Sequence, residues 1–442
     1  MSFNPFTEKA TPIDQTFMNW NTMYPRPYCK ETADPYTKCR IILMNGTEFE
    51  AQWFSRNFSR HCCDDNLRRK LAMTRRVEQQ QQKRISCLKP KDETILEHTI
   101  SYEQLAVDLT CVLAKQETDC NVINALNLAL LEDFDHLYRY SNLLNLEYGV
   151  YPEKLVGGYT EITPGRPTIS EHRYPTDSIF HDINNSKACL QTKLNVNIIT
   201  AAEQQTMNYY MNVANLYSVS DIGRRMYQEI GMIEEEHVSQ YESLIDTRAT
   251  WLESLLLHEY TECYLYYSCM MTECDSYIRQ IWEECLNQEI THLHIAKDLL
   301  WQYEKKEYQQ VVGNGEFPAI LQLRPNIEYV RRVLETTVGN TQKKECVVPL
   351  GELKSDDPFF FYQKTVNTPL DSVSTHCIID QHIKSCGMDY RYEVAPNPIV
   401  QLQNRTCDNT TLGRVQDKTP DCYSRCGTTA DNCACDLTQT RN

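Results

Sequence analysis

Three stretches of this chain read as helical hairpins, and each carries an acid and a histidine three residues apart inside an otherwise apolar stripe. They are residues 100–146, 196–246 and 250–305, each two amphipathic helices around a polar turn. The turns are Glu117-Thr118-Asp119, Ser218-Val219-Ser220-Asp221 and Thr272-Glu273-Cys274-Asp275, where Asp or Ser caps the second helix. On those second helices the core-facing stripes include Asp133 and His136, Glu234 and His237, and Glu289 and His292. The first helices place Glu103, Glu203 and Glu259 on the inward side.

The spacing ties these residues together. The separations are 133 − 103 = 30, 234 − 203 = 31 and 289 − 259 = 30, with midpoints in the polar turns. Residues equidistant from a hairpin turn lie at one height, here about 20 Å from it at ~1.5 Å per residue. With 60 acidic residues and 11 His in 442, chance alone gives about one or two acid-x-x-His pairs, so the force lies in their placement. An unpaired buried carboxylate costs several kcal/mol, and a metal ion compensates it well. The i, i+3 spacing lets carboxylate and imidazole reach one ion.

On these residues the chain resembles the ferritin-like superfamily, and within it the rubrerythrin-type di-iron carboxylate proteins. Ala201-Ala202-Glu203 through Ile233-Glu234-Glu235-Glu236-His237 is the best match, hairpin three matches less well, and hairpin one departs in having Asp133 for Glu. The likeness covers residues 100–305. It implies an all-α fold, a helical bundle of three hairpins, and two iron ions, or manganese or a mixture, reacting with dioxygen or hydrogen peroxide on electrons from an external donor. Glu203, Glu234 and His237 would be ligands. Family topology, which needs a long crossover, favours Glu103, Asp133 and His136 as the other half, because only 147–195 supplies one. Ligand identity favours Glu259, Glu289 and His292. In a third arrangement hairpin three completes a site with its copy in a second subunit of a homo-oligomer.

Plainer readings stand beside this. Ser101 and Gln104 could form a capping box that leaves Glu103 a first-turn acid. Glu132 falls off the stripe and reads as solvated, as do Glu235 and Glu236, the latter two also candidates for proton transfer. His258 and His294 read as surface or hydrogen-bonded histidines. The tyrosines of these helices, Tyr140, Tyr209, Tyr210, Tyr260, Tyr264, Tyr266 and Tyr267, are core aromatics first, and Cys263 and Cys285 buried thiols. The whole constellation could also belong to a metal-free scaffold or interaction protein, or to an iron store.

Outside the hairpins, residues 1–99 divide into an arm to about 57, rich in Pro and aromatics, and one long solvated helix from about 58 to 88 with a basic face (Arg68, Arg69, Lys70, Arg75, Arg76). Residues 306–442 form an irregular extension whose tail carries Cys422, Cys426, Cys433 and Cys435, a spacing unlike a rubredoxin module. A net charge of −16 argues against nucleic acid and anionic membranes as partners. The start of the chain has no export signal and no apolar run spans a bilayer, so 20 Cys are expected as thiols in a cytoplasmic protein.

Overall fold

Acceptor side chains fix where the long helices begin. In the computed structural model, which describes residues 3–369 and 372–386, Asp64, Thr94, Asp119, Ser220, Thr250 and Asp275 each accept a backbone N–H from the first turn of the helix that follows. Thr94 with Glu97 and Thr250 with Glu253 form complete capping boxes. The helix that carries Glu103 therefore starts at Ile95, and Ser101 and Gln104 are mid-helix rather than a cap.

The described residues are mostly helical. Eight long helices dominate: α1 (Pro35–His61), α2 (Asp65–Ser86), α3 (Ile95–Gln116), α4 (Cys120–Tyr148), α5 (Leu190–Leu216), α6 (Asp221–Glu242), α7 (Trp251–Thr272) and α8 (Ser276–Glu304). One two-stranded antiparallel ladder, β1 (Asn340–Lys343) with β2 (Cys346–Pro349), follows, with Asn340 opposite Pro349. Helices α9 (Ile327–Thr337) and α11 (Ser374–Cys386) lie against α4, and α10 (Pro358–Val366) stands between them in sequence. No helix among the described residues is long and apolar enough to cross a membrane.

The N-terminal region differs from its expected form. Residues 35–61 are a 27-residue helix, and a turn at Cys62–Asp64 separates it from α2, so the single helix from 58 to 88 is in fact the end of α1 and the whole of α2. Helix α1 is mostly buried. Its inward face carries Lys38, Arg40, Glu48 and Gln52 among apolar residues, which hides the helical period. Residues 3–34 lie against the long helices as an arm, with Phe3 stacked on Tyr267 and Phe6 on Tyr308. Arg68, Arg69, Lys70 and Arg76 are exposed, as expected of a flank.

Four hairpins thus replace three, and they repeat at a larger period. Helices α1 to α4 contain 27, 22, 22 and 29 residues, and α5 to α8 contain 27, 22, 22 and 29 in the same order. Starts are offset by 190 − 35 = 155, 221 − 65 = 156, 251 − 95 = 156 and 276 − 120 = 156. Even the left-handed caps correspond, Gly149 at φ 63° after α4 and Lys305 at φ 56° after α8.

The two halves pair across each other. Helices α3 and α4 pack with α5 and α6, while α1 and α2 pack with α7 and α8. In the first group Tyr209 reaches the Ile95 carbonyl and Asn195 reaches Glu117, so α3 and α5 run antiparallel; Gln240 donates to the Ala125 carbonyl, so α4 and α6 do too. Helices α4 and α5 are then parallel, and residues 149–189 span the length between them. The second group has the same pattern: Arg40 binds Glu273 and Phe58 stacks on Trp251, Arg84 binds Glu284 and Asp64 meets Tyr303. The groups touch where Gly46 of α1 meets α5, so closely that a Cβ there would lie 2.8 Å from Gln205 Cβ and 3.2 Å from the Ala201 carbonyl oxygen.

Candidate metal centre

Four of these helices aim their inward acids and histidines at one point. Ligand atoms of Glu103, Asp133, His136 and Glu234 all lie within 4.8 Å of one another, and so do those of Asp133, Glu203, Glu234 and His237. The two sets share Asp133 and Glu234. Two overlapping four-donor sets result, each adding one further Glu and one His to the shared pair. All six residues are at most 1% exposed.

Helical geometry orients both imidazoles the same way. His237 turns Nδ1 inward, 3.1 Å from Glu234, 3.2 Å from Asp133 and 3.8 Å from Glu203. His136 Nδ1 lies 3.0 Å from Glu234. The outward nitrogens face a second layer of acids: His237 Nε2 is 2.6 Å from Glu132, and His136 Nε2 is 3.8 Å from Glu171. Carboxylates behind metal-binding imidazoles fix the tautomer and raise ring basicity.

The crossover 149–189 supplies Glu171 and the arginines that hold Glu132, which is itself on α4. Arg173 grips Glu132 through Nη1 at 2.5 and 2.8 Å, and Arg166 Nε lies 3.5 Å from the same carboxylate. Gly165 lets the crossover settle directly onto α4, where a Cβ would fall 2.2 Å from the Leu131 carbonyl oxygen. The Gly165 N–H donates to Asp135 at 2.9 Å, and Arg166 N–H to the Leu131 carbonyl at 3.0 Å. Sequence patterning reads Glu132 as solvated, yet it is fully buried, and Glu236 is 7% exposed beside Arg173. Neither lies on the narrow stripe, because the crossover adds a second wall to α4 and α6. Glu235 is exposed, as expected.

Charge in the cluster is unbalanced. Burial, and after it the neighbouring acids, pushes the carboxyls of Glu103 and Glu203 well above the ordinary range. Burial also opposes ionisation of Glu234, but hydrogen bonds from His136 and His237 hold it at about 2. Those imidazoles are driven well above their usual value in turn, against burial, by the acids around them. Were all four carboxyls ionised, two imidazolium groups would still leave two negative charges in a dry interior, which is why burial drives Glu103 and Glu203 to hold their protons when no cation is present. Two divalent cations with neutral imidazoles would bring the sum to zero. Among the described residues neither oxygen of Glu203 has a hydrogen-bond partner, nor does Glu103 Oε2. Tyr210 holds Glu103 Oε1 through its hydroxyl.

Glu259, Glu289 and His292 do not join this group. They face α1 and α2 in the other four-helix group, where Glu259 and His292 come within 4.8 Å of Glu78, and Glu259 and Glu289 within 4.8 Å of Glu262. The arrangement in which hairpin three completes the site of hairpin two is therefore not adopted within this chain. Hairpin three is closed by the unforeseen hairpin α1–α2. That hairpin carries the same signal in a weaker form: Glu48 and Glu78 are 78 − 48 = 30 apart around the 62–64 turn, with Gln81 where the others have His. His294 bonds the Pro5 carbonyl at 3.2 Å, and His258 is buried against Phe54. The described cysteines are free thiols, Cys263 and Cys285 fully buried; the tail cysteines from 422 lie outside the described residues.

No family model matches the chain, and no curated protein or solved structure matches it.

Proposed function

We propose that the α3–α6 group is a ferritin-like bundle holding two iron or manganese ions and that the protein is an oxidoreductase acting on dioxygen or hydrogen peroxide. The observation that carries this reading is the overlap of two four-ligand sets through Asp133 and Glu234. One ion would lie among Glu103, Asp133, His136 and Glu234, the other among Asp133, Glu203, Glu234 and His237. When bound, such a pair supplies redox electrons and open coordination positions. An external donor would return those electrons.

The chain's own residues prepare the place. Glu132 and Glu171 orient the two imidazoles so that Nδ1 faces inward. Tyr210 steadies Glu103 and leaves its other oxygen free. Tyr140, Tyr210 and Tyr227 form an aromatic wall with ring centroids 4.8 to 5.7 Å apart, which keeps bulk water out. The Asp133 side chain, one methylene shorter than Glu, departs from the family's pattern.

A scaffold reading competes, since His136 and His237 already hydrogen-bond Glu234. Metal analysis and peroxide consumption separate the two. The enzyme reading expects bound iron or manganese in protein purified without added metal, turnover of peroxide with a reductant, and loss of both in Glu203→Ala/Glu234→Ala. A metal-free protein whose melting ignores chelators leaves only the scaffold.

A further inference from the structure

We propose that the α1–α2–α7–α8 group holds a second cation centre, built from Glu48, Glu78, Glu259, Glu262, Glu289 and His292, which favours harder, oxygen-seeking cations than the first. It stands apart from the redox reading of the first cluster.

The repeat offset carries every donor position across. Glu203 corresponds to Glu48 at 155, and Glu234, Glu259, Glu289 and His292 correspond to Glu78, Glu103, Asp133 and His136 at 156. Two positions break the match. His237 corresponds to Gln81, and Glu262 corresponds to Ala106. One imidazole is thus exchanged for an amide, and a carboxylate is added from the facing helix.

The side chains point the same way as in the first centre. His292 Nδ1 lies 3.1 Å from Glu289 and 3.8 Å from Glu259, and two overlapping sets share Glu259: Glu78–Glu259–His292 and Glu259–Glu262–Glu289. Gln81 Nε2 donates to Glu289 at 2.6 Å, so the amide holds a ligand in place of becoming one. Tyr266 donates to Glu48. All seven residues, Gln81 included, are at most 1% exposed.

Five carboxylates in a dry interior demand compensation. Among the described residues neither oxygen of Glu262 has a hydrogen-bond partner, nor do Glu48 Oε2, Glu78 Oε2 and Glu259 Oε2. His258 Nε2 lies 3.8 Å from Glu262. Burial, and after it the mutual repulsion of these acids, drives Glu48, Glu259 and Glu262 well above the ordinary range. A donor set of five carboxylates and one imidazole suits manganese or magnesium better than softer zinc or cobalt, which gain more from nitrogen.

Mn²⁺ titration of chelator-stripped full-length protein, read by electron paramagnetic resonance, tests the assignment. Glu203→Gln/Glu234→Gln disables the first centre and should keep about half the wild-type capacity. Adding Glu78→Gln/Glu262→Gln should abolish what remains, with melting no lower than that of the metal-free parent, because buried like charges are removed. Separately, Gln81→His should raise Co²⁺ affinity relative to Mn²⁺ about tenfold. The inference fails if the first-centre variant, folded by circular dichroism, binds no Mn²⁺, if the added substitutions leave its capacity unchanged, or if Gln81→His leaves the preference unaltered. Wild-type protein that binds Mn²⁺ only through the second centre and turns over no peroxide would overturn the oxidoreductase reading and leave this one intact.

Discussion

Glu132 Oε2 lies 2.6 Å from His237 Nε2, on the side of the ring turned away from the cluster. The same carboxylate is clamped by Arg173, which sits on the crossover and not on any of the four helices. Ring orientation inside the bundle therefore depends on a segment outside it. Glu132→Gln keeps the shape but removes the charge that makes the imidazole a better donor. We expect metal affinity at the first centre to fall about 10–100-fold, read by competition with a chromophoric chelator. Unchanged affinity would mean that Glu132 serves only to satisfy Arg173.

Gly165 offers a complementary perturbation from the crossover side, against the turn of α4 that carries Asp133 and His136. Adding a methyl group forces the crossover off α4, since the Asp135 nitrogen as well as the Leu131 oxygen lies within 2.7 Å of the new atom. Gly165→Ala should cost about 1–3 kcal/mol in stability and loosen Arg166 and Arg173 together. Urea unfolding with and without metal checks this; the loss should be larger with metal present.

Metal should stabilise the fold and acid should release it. A ligand at a thousandfold excess over its Kd adds about 4 kcal/mol to the folded state. Chelation is therefore expected to lower the melting temperature measurably at pH 7. Because the carboxyls of Glu103 and Glu203 take up protons well above the usual range when no cation is present, protons compete early as pH falls. Release followed by equilibrium dialysis should be under way before exposed carboxylates titrate.

Glu50, two residues after Glu48 on α1, provides a separate pH signature through its burial and its neighbour Glu242. Burial, and secondarily Glu242, raises its carboxyl from the usual value to about 8. A raised folded value means stability that is full below the unfolded value near 4.5 and is lost as pH rises through 8. Glu50→Gln removes that loss. Its melting temperature relative to wild type should climb by on the order of 3–5 °C between pH 5 and pH 9; a difference constant across that range refutes the assignment.

How far the sequence could be read depended on contrast between faces. Hairpins α3–α4, α5–α6 and α7–α8 bury apolar stripes, so the inward Glu and His stand out against Leu, Ile and Ala. Helix α1 gave no such contrast: Lys38 and Arg40 are buried there because Glu93 and Glu273 meet them, and Gly46 interrupts the stripe because α5 passes too close for a side chain. The 30-residue interval from Glu48 to Glu78 was the available signal, together with the recurrence of ligands at 155 and 156. Glu132 escaped for another reason, since a residue shielded by a crossover obeys no helical period. The pairing of hairpins turned on topology, in which the length of 149–189 outweighed the closer likeness of Glu289 to the family's ligand.

The exchange of hairpins between the two halves of the chain makes each cluster the joint property of both. Neither half, made alone, contains the partners that its own buried acids require. Cleavage within 149–189 would yield two fragments obliged to recombine before either could bind an ion, and a lesion in one half would be felt in both centres at once.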